Sequence, residues 1–299
     1  GGRQMITNNK IFITIQYIFL AILVVMAVVP FLLLISSSFT TEQEILKNGY
    51  SLFPREITLD AYRYLLSVSD GILRAYLMSI IIAGSGVLTC LVLTILFAYP
   101  LSKQDLPGKN FFAFFLFFTM LFNGGLVPTY MVYTQLFNIK DTIFAMIVPG
   151  LLMSPFNVIM VRTYITSNVA NEIVDAAKID GAGEFRSLLS VVIPLCKPII
   201  GTIALMSFIA YWNNWTNGIY YIQNRTDLYG IQNYLKSVLD SVNVLQSQIS
   251  TQVGISAKDL PSMGIRMALA VIGVLPVLII YPFFQKYFVK GITLGGVKE

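Results

Sequence analysis

The chemistry that this sequence offers is concentrated in two short stretches. The first is Tyr211-Trp-Asn-Asn-Trp-Thr-Asn217 followed by Tyr220-Tyr221, where carboxamides and aromatic rings interrupt an apolar run. A carboxamide both donates to and accepts from hydroxyl groups, so such a set suits a hydroxyl-rich ligand. On a continuous helix at about 100° per residue, Asn213, Thr216, Asn217 and Tyr220 share one face. Carboxamides facing lipid are costly, so that face is expected to line a polar cavity, with Trp212 flanking it. An aromatic belt with helix–helix hydrogen bonds accounts for the same residues. Trp215 points away from the Asn face and is read as a belt residue.

The second stretch is Ser167-Asn-Val-Ala-Asn-Glu-Ile-Val-Asp-Ala-Ala-Lys-Ile-Asp-Gly-Ala-Gly183. Asn168 or Asn171 can cap a helix start, Glu172 suits its first turn, and Gly181 or Gly183 can end it in a left-handed turn. Val169, Ile173 and Ala177 fall at i, i+4 and i+8 and predict one apolar stripe. The small Ala176 and Ala177 would let a partner surface approach the backbone. A helix lying on the bilayer is the bland alternative, but the stripe is narrow and holds no Trp or Phe to sink into lipid. A second helix is predicted over 184–193, and Pro198 opens the apolar run that follows.

Other chemistry is thinly represented. His is absent, which removes the commonest general base and zinc ligand together. The two cysteines, Cys90 and Cys196, lie in separate segments, so neither a disulfide nor a Cys metal site is expected. No catalytic residue, metal ligand or cofactor is assigned. A phosphate-binding loop needs Gly-x-x-x-x-Gly-Lys-Ser/Thr, and the one Gly-Lys pair, Gly108-Lys109, is followed by Asn110. No basic run is long enough for nucleic acid.

These stretches must be positioned by helices in lipid. Of 299 residues, 56% are hydrophobic and 12% charged, and the mean hydropathy is +0.73. A soluble domain carries about a quarter charged residues. Crossing the hydrocarbon core takes about 20 apolar residues. Six candidate spans follow, at about 11–39, 75–102, 111–127, 142–161, 199–221 and 267–284, giving an all-α integral membrane protein read as a single domain. The first is too long for a signal-peptide core and lacks a small-residue cleavage site, so it is read as a retained helix. Gly124-Gly125 and Pro128 mark either a kink or the outer end of the third span. No span carries Asp, Glu, Lys or Arg in its middle, which argues against proton coupling.

With both termini inside, 11 of the 20 Lys and Arg are cytoplasmic, and the long segments 40–74 and 223–266 are external. The short, lysine-dense turn Lys103–Lys109 is then cytoplasmic, as are the loop 166–198 and the tail 285–299. The helical patterns in 59–66 and 234–245 predict short surface helices.

The segment Asp175-Ala176-Ala177, Gly181 and Val191-Val192-Ile193-Pro194 resembles the Glu-Ala-Ala signature of binding-protein-dependent ABC importer permeases, with Asp in place of Glu. The tail Gln285–Lys298 is similar to the ending of the maltose-type sugar permeases, and Asn123-Gly-Gly-Leu-Val-Pro-Thr-Tyr130 resembles an oligosaccharide branch. The resemblance implies a type I importer permease fold in a bacterial inner membrane. It implies a non-enzymatic half of a pathway for oligosaccharides, working with a second homologous permease, two ATPase subunits that hold ATP and Mg, and an extracytoplasmic solute-binding protein. Glu172, Asp175, Ala176, Ala177, Asp180, Gly181 and Ala182 would couple the 171–183 helix to the ATPase. Thr293, Leu294, Gly295 and Gly296 would contact the ATPase pair. Trp212, Asn213, Asn217 and Tyr220 are the candidate substrate-pathway residues. An ion-coupled carrier or channel subunit, or an intramembrane transferase, is the rival class. The transferase would need paired carboxylates or His near the membrane surface, and no convincing array is present.

Overall fold

A computed structural model describes residues 10–67, 69–251 and 262–296, with only the backbone described at 11, 69, 245–251, 262, 284 and 286–296. The described residues form helices joined by turns. Two compact units share them. One takes its described residues from Gly1–Ser69 and Ser237–Leu275, the other from Asp70–Lys236 and Pro276–Glu299.

In the first unit, α1 (Lys10–Ser38) is apolar all round. None of its apolar window is covered by the rest of the chain. Lipid or another subunit must therefore cover it. Short helices α2 (Glu42–Asn48) and α3 (Asp60–Ser67) follow in the long segment after it. Glu44 ties that segment together by accepting from the backbone N–H groups of Arg55 and Glu56, both at 2.7 Å. These two bonds hold its carboxyl below the usual carboxylate range. The Glu42 carboxylate accepts from the Met263 N–H at 3.0 Å.

The second unit is built on α4 (Ser69–Ser102), which begins six residues before the expected span. Around it stand α5 (Lys109–Leu121), α6 (Leu126–Met131), α7 (Ile143–Ile147), α8 (Pro155–Asn168), α9 (Asn171–Ile179), α10 (Glu184–Ser187), α11 (Ile193–Leu195), α12 (Lys197–Trp212) and α13 (Thr216–Tyr221). Helices α14 (Ile231–Thr251) and α15 (Ser262–Gly296) complete the chain. One core joins Ala98 and Leu101 of α4 to Val161 and Ile165 of α8, Val174 of α9 and Ile199 of α12. A second core, further toward the start of α4, joins Ile82 and Cys90 to Ala145–Ile147, Tyr211 and Tyr221. Inside the bundle Cys90 and Ser207 are 3.4 Å apart, and both are buried, a polar contact between α4 and α12 of the kind that joins helices in lipid.

Three helices, Phe12–Ser38, Asp70–Ser102 and Met263–Phe283, are each long and apolar enough to cross a membrane. Two more candidates are bent pairs, Lys109–Leu121 with Leu126–Leu136 at 115° and Glu184–Leu195 with Lys197–Trp212 at 82°. The break in the first falls at Gly124-Gly125, where Gly125 has φ +86°. The expected fourth span is interrupted between α7 and α8, where Gly150 takes φ +72° between Pro149 and Pro155. A left-handed residue cannot continue a right-handed helix, and proline removes a donor. Helix α3 falls where a helix was expected over 59–66, the one expected over 234–245 lies within the longer α14, and α2 was not foreseen.

Candidate functional site

Helix α9 starts at Asn171, and neither Asn168 nor Asn171 caps it, since the N-cap position is Ala170 with no side-chain hydrogen bond. The expected carboxamide cap is therefore absent, and Asn168 instead donates to the Tyr164 carbonyl at the end of α8. Because Val169 precedes the helix, Val169, Ile173 and Ala177 do not form a helical series. The inward anchors are Val169 and Val174, while Ile173 is exposed and Ala177 half-buried. The expected stripe is corrected to that extent.

The C-terminal end follows the sequence closely. Gly181 takes φ +84°, the Ala182 N–H donates to the Ala177 carbonyl at 2.9 Å, and the Gly181 N–H donates to the Lys178 carbonyl at 2.9 Å. These two bonds form a Schellman turn, which needs a left-handed residue at its corner. The turn reverses the chain, and Glu172, Asp175, Ala176, Asp180 and Gly181 remain exposed, with Ile179 projecting at 87% exposure.

The reversal brings Glu184 back over α9 and against α4. Its carboxylate accepts from the Tyr99 hydroxyl at 2.6 Å, pairs with Lys178 at 2.5 Å and lies 3.8 Å from Lys103. Lys103 also stands 4.6 Å from the centre of the Tyr99 ring. Lys178 and then Tyr99 hold the Glu184 carboxyl below its ordinary range, and the same pairing raises Lys178. Glu184 was not singled out from the sequence. A lysine six residues before a glutamate, across a Gly-Ala-Gly turn, was the available signal.

The second stretch is rearranged. Helix α12 stops at Trp212 and α13 begins at Thr216, so Asn213 and Asn217 do not share a continuous helical face. The Asn214 side chain makes the break by accepting from the Asn217 N–H at 3.1 Å and the Thr216 hydroxyl at 2.9 Å. Asn217 is buried and donates to the Pro149 carbonyl at 3.0 Å, tying α13 to the turn after α7. Trp212 is 3% exposed between Phe208 and Tyr76, so its ring is covered in this arrangement. Tyr220 is exposed. Trp215 is half exposed, with the Lys236 ammonium 5.7 Å from its ring centre.

Beside Trp212 lies a small cleft, with room for about one water, lined in part by Ser79, Tyr211, Asn214 and Gln232. Gln232 also reaches Asn213 at 3.5 Å. Neither Asn214 nor Gln232 was expected here: on an unbroken helix Asn214 falls off the Asn213 face, and Gln232 comes from the separate α14. Beyond the cleft, Asp141 accepts from the N–H groups of Gln223 and Asn224 at 2.6 and 2.9 Å. Among the described residues no three His, Cys, Asp or Glu side chains stand together as a metal would need. For Thr293, Leu294, Gly295 and Gly296 only the α15 backbone is described, and 297–299 lie outside the described residues.

Residues 64–294 match the family described as binding-protein-dependent transport system inner membrane component. The polygalacturonan/rhamnogalacturonan transport system permease protein YtcP of Bacillus subtilis (strain 168) is 35% identical over 291 residues, covering 97% of this chain and 99% of the relative. Protein LplC of the same organism is also 35% identical, covering 97% of this chain and 96% of its own length. Among solved structures, a chain of a bacterial ABC transporter involved in the import of the acidic polysaccharide alginate superposes with a TM-score of 0.80. That chain is 28% identical, and the match covers 94% of this chain and 98% of that one.

Proposed function

This chain belongs to the family of binding-protein-dependent transport system inner membrane components, and from that premise we propose that it is a permease subunit of an ATP-driven importer of acidic oligosaccharides. The observation that carries the reading is α9, a short helix closed by the Gly181 turn, which leaves Ile173, Ala176 and Ile179 uncovered. Uncovered apolar and small residues on a rigid turn suit docking into a protein groove. Here the groove belongs to an ATPase subunit that supplies ATP and Mg. This chain moves no electrons and breaks no bonds. It forms half of a pathway with a second homologous permease and receives sugar from an extracytoplasmic binding protein. The α9 end is cytoplasmic, as are both termini, in a bacterial inner membrane.

Substrate class rests on the relatives, whose names specify polygalacturonan, rhamnogalacturonan and alginate. Within this chain the cleft beside Trp212 supplies the carboxamides of Asn214 and Gln232. Trp212, Asn213, Asn217 and Tyr220 remain part of the proposed pathway, with Asn217 acting by holding α13 in place. The tail Thr293–Gly296 is proposed to rest against the ATPase pair. Co-purification tests the assembly. The tagged chain should bring down two ATPase copies and one second permease, and Ala176→Trp should release the ATPases while the two permeases stay together. Retention of the ATPases by that variant would contradict docking through α9.

A further inference from the structure

The docking reading leaves open how a push on α9 reaches the membrane-crossing helices, since α9 joins α12 through 17 residues with a turn at Gly181 and an 82° bend before α12. A direct path exists. Glu184 binds Tyr99 on α4, sits near Lys103 just beyond α4, and pairs with Lys178 in the last turn of α9. One carboxylate thus bridges the helix that would meet the ATPase and the long helix that carries both cores of the bundle. Val174 of α9 packs into the first core. Apolar contact alone resists separation but permits sliding, because it is not directional. Hydrogen bonds to an ionised acceptor are directional and stronger, so the carboxylate fixes the register of α9 on α4.

We propose that Glu184 is the positioning residue that locks α9 to the end of α4, so that a displacement of α9 moves α4 instead of being absorbed in the loop. The proposal rests on the docking of α9 to an ATPase. Tyr99 is buried while Lys178 and Glu184 are partly exposed, so the link has a fixed end in the bundle and a wetter end on the loop. That arrangement suits a strut more than a fold-holding ion pair, since exposed pairs add little stability.

The test uses the whole assembly in vesicles, with sugar taken up and ATP hydrolysed measured on one preparation. Glu184→Ala is expected to leave assembly and stimulated hydrolysis near normal and to lower sugar imported per ATP about threefold or more. Glu184→Gln keeps an acceptor for Tyr99 and should recover part of the ratio. Tyr99→Phe, which keeps the packed ring, should lower it in the same direction. An unchanged ratio in Glu184→Ala and Tyr99→Phe, or uptake and hydrolysis falling together with assembly yield, overturns the strut. Ala176→Trp run alongside separates the two ideas. If it abolishes ATPase association while Glu184→Ala leaves the ratio intact, only the strut fails. If it changes neither association nor uptake, the docking of α9 fails.

Discussion

Among single residues, Gly181 makes the sharpest case. Its φ of +84° is unfavourable for any L side chain, yet an added Cβ would meet nothing within 4 Å. The cost of replacing it is therefore conformational and not steric, about 1–2 kcal/mol for leaving a non-glycine residue left-handed. Gly181→Ala should weaken the turn, and Gly181→Trp should add bulk at the docking face. Both should lower uptake while surface expression stays normal, with Trp the worse. Equal and normal uptake in both would show that the turn has no part in coupling.

Asn217 and Asn214 divide the roles that the sequence alone assigned jointly to Asn213 and Asn217. Removing the Asn217 carboxamide leaves the buried Pro149 carbonyl unpaired, a loss of about 1–3 kcal/mol. Asn217→Leu should therefore reduce complex yield and uptake together for every sugar. Gln232→Leu, at the cleft, should instead change the ratio of acidic to neutral oligosaccharide uptake. Yields in detergent beside uptake of two sugars distinguish them. Asp141 supplies a pH prediction. The N–H groups of Asn224 and Gln223 hold its carboxyl below the usual range. A depressed native value adds stability above the unfolded value of about pH 4, and that stability is lost as pH falls through the native one. Protection factors at the Gln223 and Asn224 amides should be high at neutral pH, fall in acid, and already be low at neutral pH in Asp141→Asn. Equal protection in the two proteins at neutral pH would remove Asp141 from that role.

At the scale of elements, α4 and α12 approach closely because Gly86 faces the Tyr211 ring. A Cβ there would lie 2.5 Å from the ring. Gly86→Val should force the helices apart and lower the thermal stability of the detergent-solubilised protein, by about 1–3 kcal/mol for an overpacked contact. Tyr211→Leu should relieve that loss, and failure of the pair to compensate would place the cause elsewhere. Much at this scale was legible beforehand. Long apolar runs announced α1, α4 and α15, and the Asp-Ala-Ala and Gly181 spacing announced α9 with its turn. The breaks were not legible. Hydropathy along 142–161 and 199–221 records transfer to lipid and ignores where backbone groups are satisfied. The interruptions are set by Gly150 turning left-handed and by Asn214 taking the Asn217 N–H. For the same reason the shared face expected for Asn213 and Asn217 is not formed, since face geometry for an unbroken helix does not survive a three-residue gap. Val174 replaced Ile173 as an anchor because Val169 lies before the helix and α9 turns the Val174 side to the core.

For the whole molecule, topology and energy source are the claims at stake. With α9 cytoplasmic, a Cys placed at Asp240 should react with an impermeant reagent from outside, and one at Asp105 should not. The native Cys90 and Cys196 are buried, so background labelling should be low. The opposite pattern would invert the orientation and remove α9 from the ATPase side. The family match and the 0.80 TM-score place this chain among binding-protein-dependent permeases, and the proposed assembly adds ATP hydrolysed on separate chains. Vesicles containing the purified assembly test this directly, with binding protein and an oligogalacturonate outside the transport-competent face and ATP supplied on the α9 side. The account predicts that labelled oligogalacturonate accumulates only with hydrolysable ATP and that accumulation is unaffected when proton and sodium gradients are collapsed. Accumulation driven by an ion gradient without ATP, or by this chain alone without the ATPase subunits, would contradict it.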